Sequence, residues 1–217
     1  MIPTLYGAPL SPFVRKVRSL LMKKEIEYTP KMIVPYATPE GYELLNPLKR
    51  IPALTLGDIT LADSAVICHF LDDYFPSTPL VPKELVARSR CEWLEKFADY
   101  ELAPWTTFSV FRQRILYKLE GKEIDESAIE AALNEKLPPL FDYLESQLSG
   151  LYFIDGQLSL ADLAIASQLI SFEHGGETLS QDDWPKLYAF YQNICQQPFM
   201  IDIIQSEKKL LKKLFSA

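Results

Sequence analysis

Two hydroxyl-bearing helix starts carry most of the chemistry in this chain of 217 residues. In Leu10-Ser11-Pro12-Phe13 a serine stands directly before a proline, and Phe13, Val14, Val17, Leu20 and Leu21 follow at helical spacing. That order predicts Ser11 as the N-cap and Pro12 as the first helical residue. In Ala62-Asp63-Ser64-Ala65 a carboxylate and a hydroxyl precede Val66, Ile67, Phe70, Leu71 and Tyr74. This predicts a second capped helix, ended by Pro76. A helix start points unpaired N–H groups outward and favours a small anion. On residue type alone, both starts also read as ordinary caps. His69 and His174 are far apart in sequence, and Cys68, Cys91 and Cys195 form neither a C-x-x-C pair nor a zinc pattern, so no metal is expected.

The elements that position these residues follow from local signals. Thr4-Leu5-Tyr6 reads as a first strand, broken by Gly7-Ala8-Pro9 before the Ser11 helix. Glu27 to Val34 alternates loosely, and Pro30 demotes it to an edge strand because proline cannot donate to a ladder. Pro39 to Leu45 reads as a short helix stopped by Asn46-Pro47. Ala53–Leu56 and Ile59–Leu61 flank Gly57-Asp58, a glycine-first link that predicts a hairpin. The order strand, helix, strand, short helix, hairpin, helix gives a mixed sheet with helices on its faces. After Pro76-Ser77-Thr78-Pro79 strand signals almost vanish. Segments 84–119, 125–148, 159–172, 184–197 and 199–215 read as helices, which predicts an all-α second domain. Ser159-Leu160-Ala161-Asp162-Leu163 carries a capping-box pattern, with Leu158 and Leu163 at staple positions. Its reading is structural.

Composition narrows the class. Apolar residues are 48% and charged residues 24%, as in ordinary globular chains. The net charge of −7 argues against a nucleic-acid partner, whose binding rests on cationic contacts to phosphate. Residues 1–78 are neutral, with eight cations and eight anions, so the acidic excess lies in the rest of the chain. No secretory signal is apparent at Met1–Tyr6, and no apolar run reaches the roughly 18 residues of a membrane span. The expectation is a cytoplasmic protein with no membrane partner and with its thiols buried in a reducing compartment.

Four segments together give a resemblance. Leu5 to Val17, Asn46-Pro47-Leu48-Lys49-Arg50-Ile51-Pro52-Ala53-Leu54, Ala62 to Ile67, and Asp155-Gly156-Gln157 before Ser159-x-x-Asp162 resemble the soluble glutathione transferase family, serine type and bacterial-like. The resemblance covers essentially the whole chain. It implies an α/β thioredoxin-like N-terminal domain at residues 1–78, a linker at 79–84 and an all-α C-terminal domain at 85–217, together the glutathione transferase fold. It also implies a homodimer and a role in detoxification.

The activity implied is conjugation of glutathione, as co-substrate, to a small apolar electrophile. A free thiol with pKa about 8.5 is only a few per cent thiolate at neutral pH, and the thiolate is the nucleophile. Lowering that pKa by two units takes roughly 2.7 kcal/mol. A hydrogen bond to a charged group supplies about 1.5–3 kcal/mol and a helix N-terminus about 0.3–1 kcal/mol. One hydroxyl plus one helix end therefore suffices, which makes Ser11 the expected catalytic residue. Tyr6 is its rival, because some members activate the thiol with a phenol.

Phe13, Arg50, Ile51, Pro52, Asp63 and Ser64 are the expected glutathione-binding residues, with Ile51-Pro52 cis, Ser64 on the γ-glutamyl carboxylate and Asp63 toward the ammonium. The family usually has Glu at the Asp63 position. Tyr6, Pro9, Trp105, Phe108, Phe111 and Arg112 are expected around the electrophile, and Asp99 is a candidate for reaching a partner subunit's ligand. There is no cysteine at the Ser11 position, which disfavours thiol-disulfide exchange, and no serine-serine-cysteine opening of the isomerase branch. The alternatives are a glutathione-fold binding or scaffold protein with little catalysis, and a glutathione-dependent peroxidase or reductase.

Overall fold

The computed structural model describes residues 1–35 and 37–216. The chain forms two units, Met1–Val81 and Pro82–Ala217. In the first, strand β1 (Thr4–Tyr6) leads through Gly7 into helix α1 (Pro12–Lys23). A Cβ at Gly7 would stand 2.4 Å from a Val14 methyl, so only glycine lets the chain turn this close over the helix. Val14, Val17, Leu20 and Leu21 bury the core face of α1. Strand β2 (Thr29–Lys31) pairs parallel with β1, while β3 (Ala53–Leu56) and β4 (Ile59–Ala62) pair antiparallel, giving the order β2-β1-β3-β4.

Pro30 sits on the exposed edge strand, which is shorter than its sequence pattern implies. The predicted short helix shrinks to a single 3-10 turn, Tyr42–Leu44. Gly57 takes φ +57° in the β3–β4 link, and Asp58 stays out of the positive region, as a glycine-first turn requires. Helix α2 (Ser64–Tyr74) closes the unit.

A buried ion pair ties its two helices together. Lys24 Nζ lies 2.7 Å from Asp72 Oδ1, with both side chains shielded from solvent. Asp72 also accepts from the Leu80 and Val81 N–H groups at 2.9 and 3.0 Å, and Lys24 donates to the Thr78 carbonyl at 3.1 Å. The carboxylate is thus satisfied at both oxygens, the condition under which a buried charge is tolerated. From sequence, Lys24 reads only as a cation at the negative end of α1.

The second unit is helical. Helix α3 runs over residues 85–117 and α4 over residues 126–147. Each contains proline, at Pro104 in α3 and at Pro138 and Pro139 in α4, and yet continues. In both, a wide i→i+5 stretch comes directly before the proline turn, Ala98–Leu102 and Ala132–Lys136. Proline lacks a donor and its ring crowds the carbonyl four residues back; the widened turn relieves both problems. Helices α5 (Leu160–His174), α6 (Pro185–Cys195) and α7 (Pro198–Ser216) follow.

Helix α5 is buried nearly all round, and its start is built on Asp162. That carboxylate accepts from the Ser159 N–H at 2.7 Å, the Ser159 hydroxyl at 2.6 Å and the Phe153 N–H at 2.9 Å. Burial pushes its pKa up to about 6, against the partial relief those donors give. A thioredoxin-like unit with a mixed sheet, followed by an all-helical unit, is the observed architecture.

Candidate functional site

Ser11 has extended backbone angles, φ −70° and ψ 128°, and its hydroxyl accepts from the Val14 N–H at 3.4 Å. That is a long bond, well beyond the usual 2.9–3.0 Å, so the cap is weak. Accepting from an N–H leaves the hydroxyl proton available for donation outward, and Ser11 is half-buried at the mouth of α1. The first turn of α1 carries no acidic side chain to compete for its positive end.

The loop before Ser11 is held from below by two arginines of α1. Arg15, fully buried, donates from Nη2 to the Leu10 carbonyl at 3.3 Å, and Arg18 donates from Nη1 to the Pro9 carbonyl at 3.4 Å. Sequence reasoning gave Arg15 no role beyond its place in the motif. Its signal is faint, since at 100° per residue Arg15 lies opposite the stripe of Val14, Val17, Leu20 and Leu21, where a cation usually faces water.

A second support lies under Arg50-Ile51-Pro52. The Ile51–Pro52 peptide is cis, the arrangement the resemblance implies. The Arg50 carbonyl receives two donors, the Tyr42 hydroxyl and the Asn46 side-chain amide, each at 2.9 Å. Asn46 Oδ1 in turn accepts from the Leu48 N–H at 3.0 Å. Tyr42 packs with Ile33 and Ala53, and Tyr6, Leu45 and Ile51 lean on that cluster. Burial pushes the Tyr42 phenol up to about 12, so it remains a donor across the whole working pH range. Neither Tyr42 nor Asn46 was a sequence candidate; the only hint was Asn46-Pro47, a turn signal. The Arg50 side chain is exposed, Ile51 half-buried and Pro52 buried.

The Tyr6 ring joins this cluster, with Lys31 Nζ 5.4 Å from its centroid. Phe13 and Pro9 are half-buried near the Ser11 turn in sequence. At the other helix start, Asp63 Oδ1 accepts from the Ala65 and Val66 N–H groups at 2.9 and 3.2 Å. Asp63 does so at φ 75°, a region that costs a non-glycine residue about 1–3 kcal/mol and tends to be kept where a site requires it. Asp63 is exposed, whereas Ser64, the first residue of α2, is only 3% exposed.

The remaining candidates lie in the second unit, all on α3. Trp105 is half-buried with Lys136 Nζ 5.9 Å from its ring, and Phe108 is exposed with the Arg112 guanidinium 4.8 Å over its face. Phe111 is a core side chain, 3% exposed. Asp99 is half-buried in the wide stretch before Pro104. Among the described residues no three His, Cys, Asp or Glu side chains stand close enough to hold a metal ion.

Comparison with known proteins agrees with this architecture. Residues 5–79 match the glutathione S-transferase N-terminal domain and residues 102–198 the glutathione S-transferase C-terminal domain. The chain belongs to the soluble glutathione transferase family. A glutathione S-transferase of Triticum aestivum is 30% identical over 170 residues, spanning 77% of this chain and 76% of the relative. A stringent starvation protein A homolog of Coxiella burnetii is 27% identical over 218 residues, spanning 96% of this chain and 95% of its own length. A solved glutathione transferase homolog of Drosophila mojavensis, with bound glutathione, superposes with a TM-score of 0.80 at 24% identity, over 99% of this chain and 97% of that one.

Proposed function

We propose that this protein conjugates glutathione to apolar electrophiles, with Ser11 as its catalytic residue. The observation that carries the reading is the Ser11 hydroxyl at the open start of α1, accepting one long backbone bond and retaining its proton for donation. Glutathione loses its thiol proton to solvent, and the thiolate is held by a hydrogen bond from the Ser11 hydroxyl and by the helix end. The sulfur electron pair then forms the new C–S bond while the electrophile releases its leaving group or takes up a proton. Ser64 serves the γ-glutamyl carboxylate, and Asp63 serves the ammonium through Oδ2, since Oδ1 is committed to the Ala65 and Val66 N–H groups. Phe13 and the Arg50-Ile51-Pro52 loop complete the peptide site. Tyr6, Pro9, Trp105, Phe108 and Arg112 are assigned to the electrophile, and Phe111, expected there from the sequence, is left to the core by its burial. A homodimer, a cytoplasmic location and a role in detoxification belong to the same proposal and rest on family membership.

A second reading is a glutathione-fold binding protein with little turnover. It is favoured by the Coxiella burnetii relative, which carries another name and matches almost the full chain. Retention on immobilised glutathione followed by a conjugation assay with chlorodinitrobenzene separates the two. Retention with turnover supports the transferase; retention without it supports the binder. Failure of both rejects the glutathione reading.

A further inference from the structure

The end of α7 is unlike the rest of this acidic chain. Residues 206–217 carry four lysines and one glutamate, in a protein of net charge −7. The helix is anchored by Phe199, Met200 and Ile203 in the core and by Glu207, whose Oε2 lies 3.0 Å from His174 Nε2 in a buried pair. Lys208 adds an ion pair to Glu173 at 2.9 Å. Beyond Glu207 no described residue of α7 is fully buried, yet the helix continues through Ser216. Leu210 and Leu211 are half-buried, and Leu214 and Phe215 are 40% and 46% exposed.

Those residues sort by type around the helix. At 100° per residue, Lys208, Lys209, Lys212 and Lys213 fall on one side, and Leu210, Leu211, Leu214 and Phe215 on the opposite side. Lys118, exposed just beyond residue 117, places its Nζ 5.6 Å from the Phe215 ring and adds a further cation beside the apolar side. An exposed helix end that is basic on one face and apolar on the other matches an interface between water and acyl chains.

We propose that the C-terminal turns of α7 dock on an anionic lipid surface, with Lys209, Lys212 and Lys213 toward phosphate headgroups and Leu214 and Phe215 in the acyl boundary. Charge complementarity favours this occupant, and the apolar residues favour lipid over nucleic acid, whose phosphates offer Leu214 and Phe215 nothing to enter. The acidic remainder of the chain is no obstacle, because charges are screened beyond about 8 Å at physiological ionic strength. The sequence expectation of no membrane partner rested on the lack of a spanning run. That criterion does not reach a helix lying in the interface.

The test is co-sedimentation of the purified full chain with vesicles of phosphatidylcholine, with and without phosphatidylglycerol. A lysine near an anionic surface contributes roughly fivefold to partitioning, so the combined Lys209→Glu, Lys212→Glu and Lys213→Glu variant should lose on the order of a hundredfold or more. Combined Leu214→Ser and Phe215→Ser keeps the charge and should lose about tenfold. Thermal melts by circular dichroism, unchanged in both variants, show that the fold is intact. Binding to phosphatidylglycerol vesicles that falls with salt and follows both variants is the expected result. Binding no better than to phosphatidylcholine alone, or binding unaffected by either variant, overturns the proposal. Equal capture by polyglutamate or duplex RNA, insensitive to the serine substitutions, also overturns it, in favour of a general cationic patch.

Discussion

Replacing Ser11 with alanine separates the two supports assigned to the glutathione sulfur. The hydroxyl donates one hydrogen bond to a charged atom, worth about 1.5–3 kcal/mol, while the start of α1 contributes about 0.3–1 kcal/mol and survives the substitution. One pKa unit is about 1.36 kcal/mol, so the bound thiol should rise by about one to two units. With the bound thiol brought from about 8.5 to about 6.5 in the wild type, the thiolate fraction at pH 7, and with it turnover at saturating glutathione, should fall roughly three- to twenty-five-fold. Fold stability should move little, because the cap bond to Val14 is long at 3.4 Å, and a weak cap is worth about 0.5 kcal/mol. Affinity for glutathione should change far less than turnover, since Arg50, Ile51, Asp63 and Ser64 are untouched. The assay is an ultraviolet titration of the thiolate in the enzyme–glutathione complex, read beside kcat and KM for chlorodinitrobenzene conjugation. Ser11→Thr, which keeps a hydroxyl, should recover much of the loss. An unchanged thiol titration in Ser11→Ala would refute the assignment.

Tyr6→Phe should change turnover less than about threefold, given that its ring already has a packing role in the Ile33 cluster; a loss comparable to Ser11→Ala in steady-state assays would transfer the catalytic role to the phenol. Asn46→Ala removes one of two donors to the Arg50 carbonyl and the acceptor for Leu48, so KM for glutathione should rise several-fold with the thiol titration unmoved. Asp72→Ala leaves Lys24 buried without its partner and should cost about 3–5 kcal/mol in chemical denaturation. For Asp162, a folded pKa of about 6 lies above its ordinary 3.8, so the folded state binds the proton more tightly and this group favours folding more as pH falls. Relative to Asp162→Asn, wild-type stability should therefore gain on the order of 1 kcal/mol between pH 7 and pH 5, and a flat difference in denaturation midpoint across that window would contradict the burial argument.

The features legible in the sequence are those whose cause is local. Ser11-Pro12, Asp63-Ser64 and Ser159-x-x-Asp162 each mark a helix start because the capping oxygen and its N–H partner lie within three residues. Gly57-Asp58 marks a hairpin because the backbone at one residue decides the turn. Proline was legible where it ended a helix, at Pro76, and the apolar pattern also carried the predicted helix over 84–119 through Pro104; what the sequence did not show is the widened turn before Pro104 that accommodates it. Local rules count the missing donor; they do not see the neighbours that hold the turn open.

Long-range partnerships were illegible for a related reason. Lys24 and Asp72 are separated by 48 residues, and each alone is an ordinary surface charge on the polar side of its helix pattern. Only the approach of α1 to α2 removes water from both, and then the pair becomes obligatory because neither can be left charged and alone. The Arg50 carbonyl shows the same logic at shorter range: Tyr42 and Asn46 converge on it only once the 3-10 turn has formed. Trp105, Phe108 and Phe111 mark the other boundary of legibility. Their spacing on α3 is that of any buried helix face, and the observed burial splits them, leaving Phe108 exposed under Arg112 and Phe111 in the core. Apolar residues that wall a ligand and apolar residues that fill a core obey the same periodicity. Ser11 and Asp63 are therefore legible as helix starts, whereas the aromatics proposed for the electrophile cannot be told from core by their spacing.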